Sequence, residues 1–106
     1  MFIARWQIDA RFGHKQEALE LMREWEREIG AKVGLDASRS SIATGSIGAL
    51  EATIENNVTV DSLAELERIF EAIGKNPAHA AWGKKLEPHV VSGTSRWSIL
   101  RLVPMS

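Results

Sequence analysis

Residues 2–9 alternate. Phe2, Ala4, Trp6 and Ile8 fall on one side and Ile3, Arg5, Gln7 and Asp9 on the other. Successive side chains of a strand project to opposite faces, so this segment reads as a strand with one buried face and one charged face. A segment of helical period follows, then two more extended runs, a second helical segment and a last strand. That order, strand, helix, strand, strand, helix, strand, constrains the chain more than any motif in it. Two right-handed strand–helix–strand crossovers interleave four strands in the spatial order four, one, three, two and bring both helices to the same side. The other side stays bare, and its polar residues must meet solvent, a partner or a ligand.

The first helix is expected after Gly13, a candidate cap, with Ala18, Met22, Trp25, Ile29 and Val33 as its apolar stripe. Gly45 to Gly48 read as a hairpin turn between two extended runs. In the second run Leu50, Ala52, Ile54 and Val58 face the core, and Glu51, Thr53 and Glu55 face away. Ser62 and Glu65 have the capping-box spacing at the head of the second helix, whose stripe is Leu63, Leu66, Phe70 and Ile73. Asn76 and Pro77 start a short further helix, carrying Ala78, Ala81, Trp82 and Leu86, and Pro88 ends it. The last strand covers about Ser95 to Val103, and either Trp97, Ile99 and Arg101 or Ser98, Leu100 and Leu102 turn toward the helices. The fold class is therefore α+β, a ferredoxin-like βαββαβ unit with an antiparallel four-stranded sheet. Residues 1–106 are read as one domain, with no repeat or linker.

Charge and composition exclude several functions. Thirteen Lys and Arg against 14 Asp and Glu give a net charge of −1, so no basic field attracts nucleic acid or an anionic membrane. The third strand carries Glu51, Thr53 and Glu55 where an RNA-recognition sheet needs aromatic and basic residues. The absence of cysteine removes disulfides, thiolate metal sites and cysteine nucleophiles. No apolar run approaches the roughly 20 residues of a membrane span, and Arg5 interrupts any signal-peptide core, so a cytoplasmic location is expected. His14, His79 and His89 lack metal-ligand spacing, and no cofactor motif is present, so neither metal nor cofactor is predicted.

The bare face mixes charge with apolar groups. Because the first and third strands are central, Ile3, Arg5 and Gln7 should lie beside Glu51, Thr53 and Glu55. Such a surface suits the wet centre of an interface, and these six residues are predicted to meet a second copy of the chain.

The stretch Phe70–Val90, FEAIGKNPAHAAWGKKLEPHV, together with the element order along nearly the whole chain, resembles the dimeric α+β barrel superfamily. That group includes antibiotic-biosynthesis monooxygenases, haem-degrading monooxygenases and many uncharacterised stress-related proteins. The resemblance implies two sheets facing each other across a twofold axis, and ligand pockets between each sheet and its helices. Haem degraders of the group use an asparagine, a tryptophan and a histidine where this chain has Gln7, Ile73 and Gly83, so haem chemistry does not carry over. The cofactor-independent oxygenases use an asparagine, a tryptophan and an arginine, for which Gln7, Trp82 and Arg101 or Arg39 are loose counterparts.

His79 is the candidate acid–base residue, placed in the first turn of the short helix where the helix dipole disfavours its cation. Trp82, His89, Trp97 and Arg101 are the candidate ligand-binding residues, whereas Trp6 and Trp25 are read as core. Three functional readings follow. The first is a homodimer binding a small apolar or aromatic molecule between sheet and helices. The second is a cofactor-independent monooxygenase acting on a phenolic or quinol-type substrate, and the third is a non-catalytic dimeric scaffold. A cavity reaching His79 or His89 would favour the first two.

Overall fold

The computed structural model describes residues 1–105. Its elements are β1 (Phe2–Asp9), α1 (Lys15–Glu28), β2 (Ser40–Thr44), β3 (Thr53–Val60), α2 (Leu63–Gly74), α3 (Pro77–Leu86) and β4 (Arg96–Arg101), with 3-10 turns at Gly30–Val33 and Glu87–His89. The sheet runs β2-β3-β1-β4 with every neighbour antiparallel, the order that two right-handed crossovers require.

The inner face of the sheet supplies Ala4, Ile8, Ile54, Val58 and Val60 to the core. Ala18 and Met22 come from α1, Leu66, Ile69 and Ile73 from α2, and Trp82 and Leu86 from α3. The stripe of α2 is rotated from the sequence expectation: Leu63 and Phe70 are exposed, and the buried flank is Leu66, Ile69 and Ile73. The cap of α1 also differs: His14 is its N-cap residue, and Gly13, at φ +84°, makes the turn before it.

Pairing fixes the face of the last strand. Trp97, Ile99 and Arg101 stand opposite Trp6, Ala4 and Phe2 and therefore turn toward the helices, while Ser98 and Leu100 stand opposite Arg5 and Ile3 on the bare side. All six residues of β4 are exposed, so the helical layer ends before this edge strand.

On the bare side Glu55 is the centre of a polar network. Its carboxylate accepts from Arg5 Nη2 at 2.8 Å and Nε at 3.2 Å, from Gln7 Nε2 at 2.6 Å and from Asn57 Nδ2 at 3.0 Å. The hydrogen bonds from Arg5, then Asn57 and Gln7, hold its pKa down from 4.5 to about 2. Ile3, Arg5, Gln7, Thr53 and Glu55 share this face, in register with Thr59, Asn57, Glu55, Asp9 and Gln7 respectively. Glu51 does not. β3 begins only at Thr53, because the Thr53 N–H closes a turn on the Leu50 carbonyl, and Glu51 is left in that turn. There its carboxylate pairs with Lys15 Nζ at 3.0 Å, and Leu50, expected in the core, is exposed. No helix among the described residues is long and apolar enough to cross a membrane.

Candidate functional site

Between the sheet and the helices lies a cavity of about 440 Å³. Its wall includes Trp6 from β1, Met22 and Trp25 from α1, Asn56 and Val58 from β3, Leu66, Phe70, Ile73 and Gly74 from α2, His79 and Trp82 from α3, and Trp97 from β4. All four tryptophans of the chain take part. Among the described residues no Lys, Arg, Asp or Glu does, so the cavity is apolar and aromatic with a few polar atoms, the usual makeup of a small-molecule pocket.

The aromatic rings form two groups. On the helical side Trp25 and Trp82 are 6.3 Å apart between centroids, and His79 stacks on Trp82 at 5.9 Å with 20° between planes. On the strand side Trp97 lies 6.3 Å from Trp6 and meets Phe70 edge to face at 5.2 Å. Local sequence explains the placement. Gly30 admits the Trp25 ring, since a Cβ there would come within 2.7 Å of its Cζ3. The Asn76 side chain caps α3 by accepting from the Ala78 N–H at 3.0 Å, which sets His79 and Trp82 one turn apart on the inner side.

Three indole N–H groups are anchored. Trp82 donates to the Leu21 carbonyl at 2.6 Å, Trp6 to Ser95 Oγ at 2.7 Å, and Trp25 to His79 Nδ1 at 3.1 Å. The last bond has a chemical consequence. An indole nitrogen only donates, so Nδ1 of His79 must be the unprotonated nitrogen, and the neutral ring carries its proton on Nε2. The accepting nitrogen expected from the sequence is present but engaged by Trp25.

Asn56 is the other polar group of the wall. It occupies the inner face of β3 between Ile54 and Val58, and its Oδ1 is buried without a hydrogen-bond partner among the described residues. Such an atom costs free energy unless something outside the protein satisfies it.

Of the residues singled out from the sequence, His79, Trp82 and Trp97 are brought together here. His89 and Arg101 are not. The chain after α3 is drawn to the sheet by the Ala10–Val90 bridge, and His89 turns to His14 instead, Nδ1 to Nδ1 at 3.0 Å. Arg101 is exposed at the far end of β4, opposite Phe2. Trp6 and Trp25, read as core, are half-buried: each packs on the core and also walls the cavity. Asn56 was missed, although the alternation Ile54, Asn56, Val58 places a polar residue on a buried face and so carried the signal.

Among solved structures the chain is similar to a NIPSNAP family protein from Agrobacterium tumefaciens (TM-score 0.80, 20% identity, covering 99% of this chain and 95% of that one). It is also similar to an antibiotic biosynthesis monooxygenase (TM-score 0.65, 12% identity, covering 98% and 100%). A third similar structure is a dimeric protein of unknown function with a ferredoxin-like fold from Bacteroides fragilis (TM-score 0.64, 14% identity, covering 95% and 96%). Neither a family model nor a curated protein matches the chain. At these identities the likeness is one of fold: the chain has the ferredoxin-like α+β fold of NIPSNAP and antibiotic-biosynthesis-monooxygenase-like proteins.

Proposed function

We propose that this protein is a homodimer that binds a small aromatic molecule in the cavity between its sheet and its helices. One observation carries the reading: all four tryptophans converge on a cavity of about 440 Å³ whose wall holds an amide oxygen without a partner among the described residues. A pure scaffold has no use for that space, because cavities and orphaned polar atoms both destabilise a fold. A binding protein gains from them, since a ligand replaces the missing contacts. The homodimer draws support from the bare sheet face with its Arg5–Glu55–Gln7 network, and from a dimeric neighbour of the same fold.

The binding reading is tested by native mass spectrometry of the purified protein, followed by identification of released small molecules. A retained aromatic compound that is lost on Trp82→Ala is the expected result. A protein that carries nothing, and whose tryptophan fluorescence ignores a panel of aromatic compounds, would refute it.

A second reading, cofactor-independent oxygenation of a phenolic or quinol-type substrate, is favoured by His79 standing in the cavity wall and by the antibiotic biosynthesis monooxygenase among proteins of this fold. On this reading His79 takes a substrate C–H proton after releasing Trp25, the anion adds O2 at that carbon to give a hydroperoxide, and loss of water breaks the O–O bond and leaves a carbonyl on the product. Oxygen uptake with anthrone should exceed the protein-free rate and drop on His79→Ala; equal rates with and without protein would end it.

A further inference from the structure

The polar atoms of the cavity restrict what it can hold, provided that it binds a ligand as proposed above. We infer that the cavity recognises an uncharged, hydroxylated aromatic molecule, with Asn56 as the residue that reads the hydroxyl and Trp25 as a positioning residue that makes His79 a hydrogen-bond donor.

Three observations lead there. Among the described residues the wall has no Lys or Arg, so a carboxylate or phosphate would enter without a fixed counter-charge, and desolvation would oppose it. The Asn56 Oδ1 is buried without a hydrogen-bond partner among the described residues. A hydroxyl suits this amide whichever way it is turned, because a hydroxyl donates to Oδ1 and equally accepts from Nδ2. The third observation is the Trp25–His79 bond at 3.1 Å, which leaves the imidazole with a proton on Nε2. His79 therefore offers the cavity an N–H, and a ligand oxygen is its natural complement. Stacking surfaces on both sides, Trp25 with Trp82 and Trp6 with Trp97, favour a flat ring system between them.

The relation between Trp25 and His79 runs one way. His79 touches the space where a ligand sits, whereas the Trp25 N–H acts through it by choosing its tautomer. Trp25→Phe keeps an aromatic ring at this position but removes the N–H and frees Nδ1.

Equilibrium dialysis with three probes of one shape, naphthalene, 1-naphthol and 1-naphthoate, tests the recognition. In a purely apolar pocket naphthalene would bind best, since burying an unpaired hydroxyl costs free energy. Here 1-naphthol should bind at least about tenfold more tightly than naphthalene, with 1-naphthoate weakest. Asn56→Leu should abolish the preference for 1-naphthol and leave naphthalene binding intact. Nitrogen-15 NMR of the imidazole should show the Nε2–H tautomer for His79, giving way to a mixture in Trp25→Phe.

If none of the probes binds, the binding reading itself falls and this inference with it. If naphthalene binds as well as 1-naphthol, or 1-naphthoate binds best, the cavity remains a binding site but its polar recognition is refuted. The probe comparison on the unaltered protein decides this even if Asn56→Leu fails to fold. An Nδ1–H tautomer at His79 would overturn the role given to Trp25.

Discussion

Glu55 receives hydrogen bonds from Arg5, Gln7 and Asn57 on strands that flank or contain it, and its pKa of about 2 is the measure of that solvation by protein. The sign of the pH effect follows. A carboxylate depressed from 4.5 to about 2 stabilises the fold fully above 4.5, where both folded and unfolded chains are ionised, and loses that contribution as pH falls toward 2. Unfolding midpoints in urea should therefore drop between pH 4.5 and 2, and the drop should be smaller in Glu55→Gln, which at pH 7 is itself destabilised by about 1 kcal/mol. An unchanged acid profile in the variant would remove Glu55 from the explanation. The pairing of Arg5 with Glu55 was legible in the sequence, since alternation alone places both on one face of central strands. Asn56 was just as legible by alternation. It escaped because a single polar residue in an apolar run is normally satisfied locally, and only three-dimensional packing shows that none of the described residues reaches its oxygen.

At the scale of elements, local chemistry decided most boundaries. Ser62 Oγ accepts from the Glu65 N–H at 3.1 Å, as the spacing predicts, while the Glu65 carboxylate accepts at 2.8 Å from the N–H of Asp61, one residue before the cap, rather than from that of Ser62. Ser62→Ala should cost about 1 kcal/mol of unfolding free energy, measured by urea titration; no change in midpoint would mean that solvent caps the helix equally well. The hairpin was read less accurately. Sequence alternation ran β3 back to Leu50, but the backbone turns there, and Gly45 lies so close to the Leu50 carbonyl that a Cβ would overlap it. Gly45→Ala should consequently destabilise by more than about 2 kcal/mol, against less than about 0.5 kcal/mol for Ile47→Ser in the same exposed loop. Equal effects would place the constraint elsewhere. Periodicity could not supply this boundary, because a turn closed by one backbone bond leaves the pattern of apolar residues undisturbed.

For the whole molecule the informative asymmetry is β4. It is an edge strand with exposed residues on both faces, Trp97 at 55% and Ile99 at 42% on the helical side, Leu100 at 48% on the bare side. Edge strands of soluble proteins are normally blunted by charge, proline or brevity, and an apolar one invites another chain. The element order, readable from alternation and helical period, dictated the sheet and its bare face. It could not dictate the cavity, because volume is left over only when side chains from β1, β3, β4 and the three helices are placed together. The same reasoning links the bare face to association: Ile3, Leu100 and the satisfied Arg5–Glu55 pair form a surface that can be buried without stranding a charge, which is the condition for a stable interface. Light scattering at micromolar concentration should give twice the mass of one chain. Leu100→Asp, which sets an unpaired carboxylate on that surface, should shift the protein to monomer while its far-UV circular dichroism stays unchanged. A monomeric wild-type protein, or a Leu100→Asp variant that remains dimeric, would mean that the bare face is simply solvated and that any partner binds elsewhere.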